Sequence, residues 1–246
     1  MTNLSFHELT KRYGSVTAVD DFTAVSQGGR ITAFLGANGS GKTTSMRLLL
    51  GLAEPMSGSA RIDGHLYREL VHPLRTVGAV LDQGFHPNRS ARNHLRITAA
   101  QAGLPIHDQR VDELLELVDL HANANRTVGG FSLGMRQRLA LAAALIGDPS
   151  VLVLDEPFNG LDPDGIRLLR QLLRRFADDG GTVFLSSHLL AEVAQSADEL
   201  IVIHRGHLVT AGPTHTIVRA GEDLETTFYN LIHPDDIQSA AQGAPK

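Results

Sequence analysis

Gly36-Ala37-Asn38-Gly39-Ser40-Gly41-Lys42-Thr43-Thr44 is the stretch from which the rest of this chain can be read. Just before it, Ile31-Thr32-Ala33-Phe34-Leu35 is a short apolar run suited to a buried strand. Just after its last glycine, Lys42 to Leu50 is compatible with a helix. Glycines in such a strand-to-helix turn allow a tight bend and let the backbone approach a ligand closely. The N–H groups of the loop and of the helix start then converge on one anion. The G-x-x-x-x-G-K-T spacing predicts that Lys42 reaches the β- and γ-phosphates of a nucleotide and that the Thr43 hydroxyl binds Mg²⁺. Gly36, Ala37, Asn38, Gly39, Ser40, Gly41, Lys42, Thr43 and Thr44 are therefore candidate contacts to a triphosphate.

Further along, Val151-Leu152-Val153-Leu154 follows the Asp148-Pro149 break as a continuous apolar run. Continuous rather than alternating burial is what a central parallel strand needs. Asp155 and Glu156 emerge at its C-terminal end, where ligands sit in open α/β sheets. Asp155 suits a Mg²⁺ ligand, and Glu156 suits a base that takes a proton from an attacking water. Two acids after a strand can equally cap the next helix; the phosphate loop upstream favours the chemical reading. Between about Ser90 and Ile146 strand signals give way to helical spacing, as in Val111, Leu114, Leu115 and Val118. Ser132 follows a loop and is expected at a helix N-terminus, a favourable place for a phosphate. Asp162-Pro163 reads as an N-cap and first helical residue. The helix that follows has an apolar face, with Arg167, Arg170, Arg174 and Arg175 read as a solvated one. Thr182 to Ser186 suits a strand, and Leu200–His204 with Leu208–Ala211 a hairpin. Of the 12 histidines, His7, His65, His72, His107 and His215 read as surface residues, whereas His188 follows a strand and is a functional candidate.

The phosphate loop, Ser132-Leu133-Gly134-Met135, VLVLDEP (Val151–Pro157) and Ser186-Ser187-His188 occur in an order that resembles the ATP-binding subunits of ABC transporters. The resemblance runs from Leu9 to about Gly212. It implies an α/β fold: a P-loop NTPase core with a mostly parallel sheet, an N-terminal antiparallel β part and an inserted α-helical subdomain. The ATP-binding domain is expected over about 1–220, with the helical insert at about 86–147 and 221–246 as a short C-terminal tail. Tyr13, in LTKRYG, matches the aromatic residue that stacks on adenine. Ser132 and Gly134 match the signature that contacts the γ-phosphate held by an opposite subunit. Asp162, in GLDP, matches the loop joining two sites across a dimer, and His188 the histidine at the γ-phosphate. The resemblance thus implies ATP and Mg²⁺, catalysis by Glu156 and His188, and a homodimer or a paired ATPase subunit. It also implies a separately encoded membrane permease.

Two features depart from the commonest family pattern. Leu133 and Met135 stand where LSGGQ has a glycine and a glutamine, while the serine and second glycine remain. Where relatives place a metal-contacting glutamine, this chain offers Asp82, with Gln83 beside it; either could serve. SLGM, Phe85 to Leu95 and Asn159 to Ile166 resemble exporter ATPases for antibiotics, peptides or other amphiphiles. The rival reading is a soluble family member serving repair, translation or cofactor assembly.

Lys plus Arg number 22 and Asp plus Glu 27, a net charge of −5 that supplies no electrostatic footprint for nucleic acid. The absence of cysteine excludes disulfides and thiolate metal sites. The first residues lack the basic and apolar segments of a secretory signal. The longest apolar candidate, Leu139 to Leu154, is broken by Gly147-Asp148-Pro149, and a bilayer span needs about 20 apolar residues. The expected location is cytoplasmic, peripheral on the inner face of the membrane through the permease.

Overall fold

A computed structural model describes residues 1–81, 84–105, 107–218 and 221–233. In chain order the strands are β1 (Leu4–Tyr13), β2 (Val16–Ser26), β3 (Ile31–Leu35), β4 (Ser57–Ile62), β5 (Val77–Val80), β6 (Val151–Leu154), β7 (Thr182–Ser186), β8 (Glu199–His204) and β9 (His207–Pro213). The helices are α1 (Lys42–Leu49), α2 (Pro73–Thr76), α3 (Ala91–Gln101), α4 (Asp108–Leu117), α5 (Leu133–Ala144), α6 (Pro163–Asp178), α7 (Leu190–Ser196), α8 (Thr214–Ile217) and α9 (Leu224–Ile232).

The strands form two sheets. β2-β1-β4 is antiparallel, and the larger sheet has the order β5-β6-β7-β3-β8-β9. In the larger sheet β5, β6, β7, β3 and β8 run parallel, and only β9 pairs antiparallel, through the expected hairpin with β8. Every residue of β3, β6 and β7 is buried, which accounts for their unbroken apolar runs. Period-two alternation splits these side chains between two cores. Ile31, Ala33, Leu35, Leu152 and Leu154 face the helices, whereas Phe34, Val151, Val153 and Phe184 face the antiparallel sheet. Between the sheets Phe6, Phe22, Phe34 and Phe184 make a chain of ring contacts with centroids 5.2 to 5.7 Å apart. Such pairs contribute about 0.5–1.5 kcal/mol each beyond their buried area.

α3, α4 and α5 occupy the chain between β5 and β6 and pack on one another. Ion pairs reinforce that packing: Arg92 meets Asp112 at 2.6 Å and Arg96 meets Asp108 at 2.6 Å, both between α3 and α4. Arg167 and Arg175 of α6 are exposed as expected, but Arg170 and Arg174 are less solvated than the sequence suggested. Arg170 bonds Glu192 and Gln195 on α7, and Arg174 bonds both carboxylate oxygens of Asp198 at 2.9 and 3.0 Å. The segment expected as a tail contains α9, which packs against α7 with Leu224 buried in the helix-side core. Residues 234–246 lie outside the described ones.

Candidate functional site

β3 feeds the glycine loop directly into α1, whose cap Gly41 adopts φ 111°. A Cβ there would lie 2.4 Å from the Ala18 carbonyl oxygen, and one on Gly36 would lie 2.5 Å from that of Ile203. Both positions therefore admit only glycine. The loop wraps back on Lys42, which is buried and donates from Nζ to the Gly36 carbonyl at 2.6 Å and that of Ala37 at 3.3 Å. Burial lowers the Lys42 pKa, and the nearby Glu156 and Asp155 carboxylates oppose the shift. The ammonium thus sits inside the loop, held by two of its carbonyls.

Sheet register determines what stands opposite. Leu154 of β6 pairs with Leu185 of β7, so Asp155 and Ser186 emerge side by side. The Ser186 hydroxyl donates to Asp155 Oδ1 and accepts the Glu156 N–H at 2.9 Å. Thr43 Oγ1 donates to Asp155 Oδ2 at 2.6 Å. Two hard oxygens, one hydroxyl and one carboxylate, are thereby within reach of a single small cation. Among the described residues no cluster of three or more His, Cys, Asp or Glu forms a cage. That donor set fits Mg²⁺, which is typically bound through one or two carboxylates with phosphate and water supplying the rest.

Glu156 has φ 50°, an uncommon conformation for a residue with a side chain. The turn takes its side chain away from Asp155 and towards the loop after β7. Glu156 Oε2 accepts the His188 backbone N–H at 3.2 Å and pairs with His188 Nδ1 at 2.8 Å. A carboxylate can only accept here, so Nδ1 carries a proton, and Nε2 is the ring nitrogen left to donate to a phosphate oxygen when it is protonated as well. Two hollows result. One is lined by Ala18, Gly39, Lys42, Thr43 and Asp155, the other by Gly36, Ala37, Asn159, His188, Leu190 and Phe228. Asn38 and Glu156 line both.

Lys42, Thr43, Asp155, Glu156 and His188 are thus brought together, with Gly36, Ala37, Asn38, Gly39, Gly41 and Thr44 around them. Ser40 lies in the same loop with its hydroxyl buried and unpartnered among the described residues. Tyr13 ends β1 with its side chain 49% exposed, outside the buried core and outside both hollows, and Lys11 Nζ lies 5.1 Å from its ring. Asp82 and Gln83 lie outside the described residues. Ser132, Gly134 and Asp162 line neither hollow. Ser132 caps α5, its Oγ accepting the Met135 N–H at 3.1 Å, and Asp162 caps α6, accepting the Gly165 N–H at 2.9 Å. These two caps belong to one packed edge. A Cβ on Gly134 would lie 2.9 Å from the Gly160 carbonyl, and Leu133 covers Gly160 so closely that a Cβ there would meet it at 2.3 Å. Leu133 thus fills space over the Asn159–Asp162 loop. Sequence reasoning gave Ser186 no role beyond its place in the Ser186-Ser187-His188 motif, and it missed Phe228. Ser186 was within reach, since two parallel strands ending in Asp155 and Ser186 become neighbours once paired.

Comparison with known proteins gives a consistent result. Residues 19–159 match the family described as ABC transporter. The chain is 44% identical over 210 residues to the bacitracin transport ATP-binding protein BcrA of Bacillus licheniformis, an alignment covering 84% of this chain and 68% of that protein. It is 35% identical over 230 residues to the lantibiotic transport ATP-binding protein SrtF of Streptococcus pyogenes, covering 93% and 97%. A solved structure of an ATP-binding subunit of an ABC transporter superposes with a TM-score of 0.84 at 26% identity, covering 93% of this chain and 98% of that one.

Proposed function

The chain belongs to the ABC transporter family of ATP-binding, ATP-hydrolysing subunits, and on that premise we propose that it powers export of a peptide antibiotic or similar amphiphile. Its similarity to bacitracin and lantibiotic transport ATP-binding proteins supports the substrate class. No helix among the described residues is long and apolar enough to cross a membrane. We assign the crossing to a separate permease, with this subunit at the inner membrane face.

The observation that carries the catalytic reading is the left-handed turn at Glu156, which separates two adjacent acids into two roles. Asp155 is held beside Thr43, on the side of Lys42, and these two side chains would hold Mg²⁺. The ion, when bound, neutralises charge on the phosphates. Lys42 would exchange its carbonyl partners for phosphate oxygens. Glu156, directed into the second hollow, would orient and deprotonate the attacking water. His188, fixed through Nδ1 by Glu156, would donate from a protonated Nε2 to the γ-phosphate. Tyr13, exposed at the end of β1, would stack on adenine.

Glu156→Gln keeps size and hydrogen bonding but loses the basic oxygen. Steady-state phosphate release should fall about 10²–10⁴-fold with ATP binding retained. In cells, replacing the gene by the same variant should raise sensitivity to bacitracin-like or lantibiotic-like peptides. Near-normal turnover removes Glu156 from the chemistry, and unchanged killing across both peptide classes removes the export assignment.

A further inference from the structure

Phe228 connects the C-terminal helix to the hollow that holds Glu156 and His188. Asp223 caps α9, its carboxylate accepting the Thr226 N–H at 2.6 Å. Leu224, Phe228 and Leu231 recur at helical spacing and turn one face to the helix-side core, with Leu224 buried and the other two packed against it. α9 packs against α7, and α7 begins just after His188, at Leu190. Leu190 and Phe228 both line the hollow shared by Gly36, Glu156 and His188. No α9 residue lines the hollow of Lys42, Thr43 and Asp155.

An aromatic ring offers a phosphate no hydrogen bond, so its contribution here is shape and exclusion of water. The hollow must admit one water that Glu156 can align with the γ-phosphate. Further water would compete for the same carboxylate and imidazole, and a loosened loop would misplace both groups. On the reading of this site as one that hydrolyses ATP, we propose that α9 is a working wall of the hydrolysis hollow. Phe228 is its positioning residue, acting through Leu190 and the loop that carries His188. The rate of hydrolysis then depends on how α9 is seated, while nucleotide capture by Lys42 and Thr43 does not.

The test separates turnover from binding. Phe228→Ala should lower kcat about ten- to a hundredfold, the scale expected when a catalytic group is displaced without being removed. Its affinity for ATP should match wild type. Phe228→Leu, which restores an apolar filler, should recover most of the rate, whereas Phe228→Asn, of similar size but polar, should not. The pH profile of kcat should shift in Phe228→Ala and Phe228→Asn and return in Phe228→Leu, which a general loss of stability would not produce. Leu and Asn variants that fall equally, or a Phe228→Ala protein with wild-type kcat, would overturn the proposal. Glu156→Gln, run alongside, keeps the two readings apart. Wild-type turnover abolished by Glu156→Gln but untouched by Phe228→Ala removes the wall alone. Wild-type protein that binds ATP without turnover removes the hydrolytic reading and the wall with it.

Discussion

Lys42 is charged, buried and, among the described residues, bonded to backbone carbonyls of its own loop, an arrangement that favours a ligand over an empty site. Burial lowers its pKa, so at neutral pH the charged form costs folding free energy, and the cost is relieved only as pH rises towards the ordinary value of 10.5. A triphosphate compensates that cost with opposite charge. Lys42→Met should therefore melt at or above the wild-type temperature without nucleotide. It should also lose the rise that ATP gives wild type, about 2.7 kcal/mol at a hundredfold excess over Kd. Thermal unfolding with and without ATP decides it; an undiminished ATP shift in Lys42→Met would mean that the charge does not meet the phosphates. Glu156 shows a second residue-level compromise. A left-handed non-glycine residue costs on the order of 1–3 kcal/mol. Here the Ser186 hydroxyl secures the Glu156 N–H, and the turn sets the carboxylate opposite His188.

α3 carries a titratable group that the site does not use. His94 lies edge-on to Phe85, with ring centroids 4.8 Å apart, and burial lowers its pKa, with Arg89 adding to the effect. A histidine neutral in the fold but free to protonate when unfolded gives the unfolded state more protons below its ordinary value of 6.5. Its contribution is present above that value and is lost as pH falls towards the lowered folded pKa. Melting temperature measured between neutral and mildly acid pH should drop more steeply for wild type than for His94→Leu. Equal slopes would show that the helical insert does not sense protonation there. Elements buried on both faces were legible in the sequence: β3, β6 and β7 read as continuous apolar runs because no face meets water. α9 was harder to read. Asp223 and the Leu224, Phe228, Leu231 spacing were visible, but what fixes the helix is α7, a partner supplied only by the fold. Arg170 and Arg174 of α6 were misread for the same reason: Arg174 finds Asp198 24 residues away in sequence. Of the site, the phosphate loop and Asp155-Glu156 could be read locally. Ser186 and Phe228 required strand order and helix docking.

Across the whole molecule, Ser132, Gly134 and residues 160–162 form an edge that lines neither the hollow of Lys42 nor that of His188, and only the neighbouring Asn159 reaches the latter. A single chain thus presents a phosphate loop and a signature on separate surfaces, which we interpret as two halves of a site completed by a second copy. The cap geometry at Ser132 suits that role. Its Oγ already accepts the Met135 N–H, which orients the hydroxyl and leaves its proton to donate to a phosphate oxygen. Ser132→Asp exploits this, because aspartate is as good an N-cap as serine yet brings a negative charge against the incoming phosphate. In protein made slow to hydrolyse by Glu156→Gln, ATP with Mg²⁺ should drive the chain from monomer to dimer. Adding Ser132→Asp should keep it monomeric while ATP still binds each chain with the affinity of the single variant. Light scattering reads the mass and a nucleotide titration reads the binding. If the double variant dimerises as readily as Glu156→Gln alone, Ser132 does not face the phosphate across an interface. If it loses ATP binding as a monomer, the signature acts within its own chain, and the two-chain site is wrong.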